Sequence, residues 1–333
     1  YMFNGFNQTV IGESHNAANK VCQDWSDHYV NDNYCVAVVA DGHGSKKHFR
    51  SDVGSRLAVS VVLNTIKDFY ADVDEFETSF MENPNKVILK IQKHIISYWN
   101  KEIALYHENN PITDEEMSNF TEEEFASIKT ESIYGTTLIA AVMGRKFSFA
   151  IQLGDGSLVV VNKRAVAEMP IVDDESCPAN LTASMCNSNA IEMFNQFYTF
   201  EKTMAMFVST DGLYTSFGSK EDFQDYHTII TGLLDDADSF KNTILNNLTK
   251  RSKHGTQDDI SLSGVFDADM VVKKQQKIME RIQKNRENAE MRKAERKAKL
   301  KKQKAKMALL REKQEMEDIS SLTSGINGSN NSI

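Results

Sequence analysis

The chain has 333 residues, 41% hydrophobic and 26% charged, with a formal net charge of −9. That length suits one large domain or two small ones with a packed core, and only four prolines and 16 glycines exclude a collagenous or Pro-rich chain. No apolar run reaches the roughly 18–20 residues of a bilayer span, and the opening Tyr1–Asn7 lacks the basic flank and apolar stretch of a secretory signal.

In chain order, Cys35–Ala40 is a short apolar β-type run, ended abruptly by Asp41-Gly42-His43-Gly44. Ser55–Tyr70 has helical spacing through Leu57, Val61, Val62, Ile66 and Phe69, and Lys86–Tyr106 repeats it through Val87, Ile91, Ile95, Trp99 and Ile103. Asp114–Glu131 is acidic, with at most a short helix. Two apolar runs, Thr136–Met143 and Lys146–Leu153, flank Gly144-Arg145 and predict a hairpin of central strands. Further strands are expected at Leu158–Val161, Met204–Ser209 and Ile260–Phe266, and a helix at Ser239–Lys250; residues 163–203 lack periodicity. Strands with hairpin links, punctuated by helix pairs, predict a mixed α+β sandwich rather than a parallel doubly wound sheet.

Four cysteines (Cys22, Cys35, Cys177, Cys186) form no Cys-x-x-Cys pair and read as reduced thiols of a cytoplasmic protein. The charge is unevenly distributed. Lys273–Glu317 holds 17 Lys/Arg and 7 Asp/Glu, a local +10, which leaves −19 for the rest. This basic arm contains strong helix formers and no Gly or Pro, so it reads as one long solvated helix. The domains are therefore expected at 1–270, 271–318 (the arm) and 319–333 (a disordered tail). The arm is expected to meet an acidic partner or the acidic body. Nucleic acid is disfavoured, since the arm lacks interleaved aromatics.

The chemical signal is positional. Asp41, Asp155, Asp211 and Asp258 each sit at the edge of an apolar strand, three of them directly before Gly. One Asp-Gly after a strand is ordinarily a turn. Four of them, converging on one sheet edge, would repel one another unless cations intervene, and oxygen-only ligands favour Mg²⁺ or Mn²⁺ over zinc.

Val39-Ala40-Asp41-Gly42-His43-Gly44 resembles the Asp-Gly-His-Gly motif of the metal-dependent PP2C (PPM) serine/threonine protein phosphatases. Gly135-Thr136-Thr137, Gly154-Asp155, Ser209-Thr210-Asp211-Gly212-Leu213 and Gln257-Asp258-Asp259-Ile260-Ser261 resemble further family blocks in family order. Gly12-Glu13-Ser14-His15 with Cys22-Gln23-Asp24 is similar to a bacterial-type branch. The resemblance spans about residues 10–267. It implies a four-layer α-β-β-α sandwich of two antiparallel sheets flanked by helices, followed here by the C-terminal helical arm, with a flap near 163–203. It also implies two Mn²⁺ or Mg²⁺ ions and a weaker third. In this implied site Asp41 bridges the ions, the Gly42 carbonyl and Asp24 serve the second, Asp211 and Asp258 complete the first, and Asp155 borders the third. His43 is the implied general acid. Phosphoprotein substrates and a cognate Ser/Thr kinase follow from the same resemblance.

Several positions depart from the best-known pattern. The family's phosphate-binding Arg, five residues before Asp24, is Asn19; the residue before that Asp is Gln23 rather than Glu; Ser45 replaces a Gly; and Thr215 stands where an Asp often serves a third metal. Lys46, Lys47 and Arg50 are alternative phosphate contacts or plain surface charge. The competing reading is a pseudophosphatase, a phosphoprotein-binding module that keeps the fold.

Overall fold

Short apolar runs divided by turns fold, over residues 1–171 and 182–326 that this computed structural model describes, into ten strands. They are Phe3–Val10 (β1), Asp24–Val30 (β2), Tyr34–Asp41 (β3), Leu138–Gly144 (β4), Ser148–Leu153 (β5), Ser157–Asn162 (β6), Ala167–Glu168 (β7), Asn195–Thr199 (β8), Thr203–Ser209 (β9) and Ile260–Asp267 (β10). All pairings are antiparallel. One sheet has the order β1-β10-β9-β6-β7, the other β2-β3-β4-β5-β8.

The two-residue period of a strand explains the layering. Along β3, Cys35, Ala37 and Val39 point into a core shared with Met206, Val208 and Val265 of the other sheet. Tyr34, Val36, Val38 and Ala40 point the opposite way, onto the helices Ser51–Phe69 and Pro84–Asn109. β3 is therefore buried on both faces, which is why it reads as one unbroken apolar run. The second sheet packs its outer face on helices Lys220–Thr231 and Ala237–Arg251 through Phe207, Phe223, Ile230, Ile244 and Leu248. The result is the expected α-β-β-α sandwich of two antiparallel sheets.

Several elements escape the sequence pattern. β1 alternates with Asn, Gly and Gln and is an edge strand, and β2 is mostly polar and half-buried, so neither carries an apolar run. Helix Val73–Glu82 is too short for a strong period; Asp72 caps it by accepting from the Glu75 amide (3.0 Å). The acidic stretch forms three single-turn helices, Asp114–Met117, Glu122–Ala126 and Thr130–Ile133. The 163–203 stretch holds β7, a 3₁₀ turn at Ala190–Met193 and β8. Cys177 and residues 172–181 lie outside the described residues.

The first compact unit runs from Tyr1 to Ile282. Helix Gln275–Ile326 begins inside it, and Val271, Ile278 and Ile282 are core residues. The body thus extends beyond 271, because Ile278 and Ile282 pack beside Gly232, at the end of helix Lys220–Thr231. The second unit starts at Gln283. From there to Arg311 no described side chain is buried, and the helix continues to Ile326 because no Gly or Pro interrupts it before Gly325. The helix thus takes in the start of the stretch expected as a tail, and residues 327–333 lie outside the described residues. Among the described residues no helix is long and apolar enough to cross a membrane.

Candidate active site

Each expected acidic residue sits where a strand ends. In one sheet, β2 begins at Asp24 and β3 ends at Asp41, and the two face each other in the β2–β3 register. In the other, neighbouring strands supply Asp155 just before β6, Asp211 two residues after β9, and Asp258 two residues before β10. The sandwich brings these strand ends to one rim. A cleft of about 200 Å³ there is lined by Asp41, Gly42, His43, Asp155, Asp211 and Asp258. Asp24 is 2% exposed and does not line the cleft; its Oδ2 accepts the Thr210 hydroxyl at 2.7 Å.

The Asp41 corner is fixed by the Gly135-Thr136-Thr137 segment. The Thr137 amide donates to the Asp41 carbonyl (2.8 Å), the Thr136 hydroxyl donates to that same oxygen (2.9 Å), and the Asp41 amide donates to the Thr137 hydroxyl (3.0 Å). The His43 amide continues the clamp onto the Gly135 carbonyl (3.0 Å). Gly42 is required by close approach, since a Cβ there would lie 2.7 Å from the carbonyl oxygens of both Gln23 and Ser51. On the opposite side, Gly154 has φ of +105°, which lets the β5–β6 turn present Asp155; that carboxylate accepts the Thr182 hydroxyl at 3.0 Å.

Electrostatics follow from this crowding. Burial, and then Asp24, Asp211, Asp155 and Asp258, push the Asp41 carboxyl well above its ordinary range. Burial and Asp259 do the same to Asp24. Asp211 is raised to about 6 by burial and by Asp155 and Asp258. Among the described residues no Lys or Arg lines the cleft. His43 is pushed down to about 4 by burial, His48 and Lys47, so its imidazole is neutral at neutral pH.

Of the sequence-based cation alternatives, Lys47 lies near enough to His43 to lower it, whereas Arg50 and Lys46 are engaged elsewhere. Arg50 is 8% exposed and spent on Glu116 (2.6 and 2.8 Å), the Asn110 and Pro111 carbonyls and the Tyr134 hydroxyl. It ties the acidic segment to the start of helix Ser51–Phe69 and is not surface charge. Lys46 pairs with Glu124 at 3.3 Å and covers the Phe120 ring. Asn19 is exposed, with φ of +54°, away from the cleft lining. Thr215 turns its hydroxyl to the Asp211 carbonyl (3.0 Å).

Two titratable cleft residues, His15 and Asp259, were not expected as site residues. Their signal was present in the sequence as the Gly12–His15 motif and the tandem Asp258-Asp259, but only the packing gives them a place. No group of three or more His, Cys, Asp or Glu side chains is gathered closely enough to hold an ion in the arrangement of the described residues.

An α-β-β-α sandwich with a carboxylate-rich cleft at one rim defines a class of two-sheet folds that hold acidic sites between strand ends. The family model for protein phosphatase 2C matches residues 11–250, and the chain belongs to that family. It is accordingly a protein serine/threonine phosphatase by type, a hydrolase. A C. elegans sex-determining protein resembles it with a TM-score of 0.52 at 12% identity, over 83% of this chain and 68% of that one. The S. agalactiae serine/threonine phosphatase is 17% identical over 80% of this chain and 99% of its own, with a TM-score of 0.49. The catalytic domain of the serine/threonine phosphatase PstP, solved in complex with two manganese ions, is 12% identical over 79% and 97%, with a TM-score of 0.47. No curated protein sequence matches the chain.

Proposed function

We propose that this chain hydrolyses phosphoserine and phosphothreonine monoesters of proteins with the help of divalent cations. The observation that carries the reading is the cleft itself: carboxylates from both sheets line it and raise one another's proton affinity, and among the described residues no Lys or Arg lines it. Such an all-oxygen, net-negative donor set fits Mn²⁺ or Mg²⁺, which take carboxylate and carbonyl oxygens. Asp41, the Gly42 carbonyl, Asp211, Asp258 and Asp155 are the groups that would hold two ions and a weaker third. Asp24 lies behind Asp41, where Thr210 fixes one of its oxygens. Ions bound there would acidify water and neutralise phosphoryl charge.

The remaining roles belong to this chain's own side chains. The Thr136/Thr137 clamp keeps the Asp41 backbone from moving, so its carboxylate need not reorganise on binding. His43 is placed on the cleft by the hydrogen bond its backbone amide donates to the Gly135 carbonyl. As a neutral ring it is ready to take a proton, and it serves as acid to the leaving oxygen once the phosphate dianion beside it favours the imidazolium. The substrates would be phosphoproteins made by a Ser/Thr kinase. The free thiols Cys22, Cys35 and Cys186 favour a cytoplasmic setting for that signalling.

The test is hydrolysis of p-nitrophenyl phosphate and a phosphothreonine peptide with Mn²⁺ against a chelated blank. Metal-dependent turnover of both is expected. The second reading, a phosphoprotein-binding module with weak or no turnover, is favoured by Asn19 and Thr215 and by the spread of the cleft side chains. Binding of the phosphopeptide with no turnover above the blank would establish it instead.

A further inference from the structure

The Gly12–His15 corner carries chemistry that the carboxylates leave undone. A phosphate monoester entering this cleft needs a nitrogen donor for its non-bridging oxygens, and among the lining residues the nitrogen side chains are His15, Gln23 and His43. The Gln23 side-chain Nε2 is already spent, on the His43 carbonyl (3.3 Å) and the Ser51 hydroxyl (2.7 Å). His15 is built differently. Its Nδ1 lies 3.0 Å from Asp259 Oδ1, and Asp259 is 3% exposed. The same carboxylate accepts the Gly12 amide at 2.6 Å and, on its other oxygen, the Gln23 amide at 2.7 Å. Bonds from three sides hold Asp259 in one orientation, and it in turn holds the imidazole. The ring's other nitrogen, Nε2, makes no hydrogen bond among the described residues, and the side chain, which lines the cleft, is 15% exposed.

The backbone supports the same geometry. The Ser14 amide and hydroxyl both donate to the Gln257 carbonyl (3.0 and 2.8 Å). Gly12 approaches so closely that a Cβ would lie 2.6 Å from the Asp258 carbonyl carbon. Both members of the tandem line the cleft, Asp258 exposed and Asp259 buried against the His15 ring.

We propose that His15, oriented by Asp259, is a phosphate-binding residue of the cleft, donating from Nε2 to a non-bridging phosphoryl oxygen while Nδ1–H stays on Asp259. In the imidazolium form both ring nitrogens donate, one to each anion. This assignment rests on the phosphatase reading of the cleft. Asp259 is a positioning residue, acting only through the ring.

The test uses the full chain with Mg²⁺ and p-nitrophenyl phosphate as probe, with inorganic phosphate as competitive inhibitor. His15→Ala is expected to raise KM and the phosphate Ki by about 10- to 100-fold, the loss of one charge-assisted bond, with kcat changed less. His15→Arg, which restores a cation, recovers most of the affinity; His15→Gln, a neutral donor, recovers little. Asp259→Asn gives a smaller rise in both constants. KM and Ki within about twofold of the parent in His15→Ala would overturn the proposal. So would rescue by Gln as complete as by Arg, which would make the ring a mere bridge to Asp259. A parent without turnover would sink the enzymatic reading alone, and calorimetry of inorganic phosphate with the Mg²⁺-loaded chain then decides for His15. Weaker binding in His15→Ala supports the assignment, whereas equal binding, or none by the parent, removes it.

Discussion

At the β2–β3 end of the cleft, Asp24 and Asp41 belong to paired strands, one buried outright and the other clamped by three hydrogen bonds to Thr136 and Thr137. At the β6–β9–β10 end, Asp155, Asp211 and Asp258 ride on turns and a single-turn helix, and Asp155 and Asp258 are exposed. The first side spends folding energy to hold charge out of water, because burial is the leading cause of both raised carboxyls. The second buries only Asp211 in part and keeps Asp155 and Asp258 near solvent. A rigid, costly corner facing a wetter and more adjustable one is a sensible arrangement for binding a cation tightly while leaving room for a phosphate to enter.

This contrast can be broken at the Asp41 corner first. Asp41→Asn should lower Mn²⁺-dependent turnover by several kcal/mol of lost charge stabilisation, on the order of a thousandfold, while the unfolding midpoint holds or rises. Near-parental turnover at saturating Mn²⁺ would move the site elsewhere. Next comes the support behind the corner. Thr210→Val frees Asp24 Oδ2 and should weaken Mn²⁺ binding by about 10- to 100-fold, read by calorimetry. A variant that binds like the parent would make Asp24 irrelevant to the ions.

A subtler effect is the pH dependence of the chelated protein. Asp24, Asp41 and Asp211 bind protons more tightly folded than unfolded, so their contribution to stability falls as pH rises. For Asp211 the fall spans the interval from the ordinary carboxyl value near 4 to about 6. Urea midpoints in EDTA should drop across that interval, Asp41→Asn should flatten the drop, and added Mn²⁺ at neutral pH should reverse it. A rising midpoint in EDTA, unchanged in Asp41→Asn, would show that the carboxylates do not crowd. The smallest expectation concerns the arm. Removing residues 283–333 should leave aryl phosphate hydrolysis within about twofold, since the body's core ends at Ile282. Starting the deletion at 273 instead removes Ile278 and Ile282, which should cost about 2–5 kcal/mol for each large buried side chain lost.

The strands that carry the core were legible in the sequence because burial on both faces demands unbroken apolar runs, as in β3, β4 and β9. So were the positions of Asp41, Asp155, Asp211 and Asp258, since an acidic residue and a turn mark where each such run stops. β1 and β2 were not, because an edge or half-buried strand carries polar residues that no period separates from a loop. The charged arm was visible as composition, yet its first turns, with Ile278 and Ile282, are core only because a helix pair elsewhere offers a face to cover. Arg50 reads as surface charge in sequence, whereas the fold surrounds it with Glu116 and three oxygen partners. Local chemistry determined which residues could stop a strand or bind a cation. Tertiary packing alone decided which of them share a cleft, which lie behind it, and that Asp259 turns inward to hold His15, because those relations join residues up to 247 positions apart.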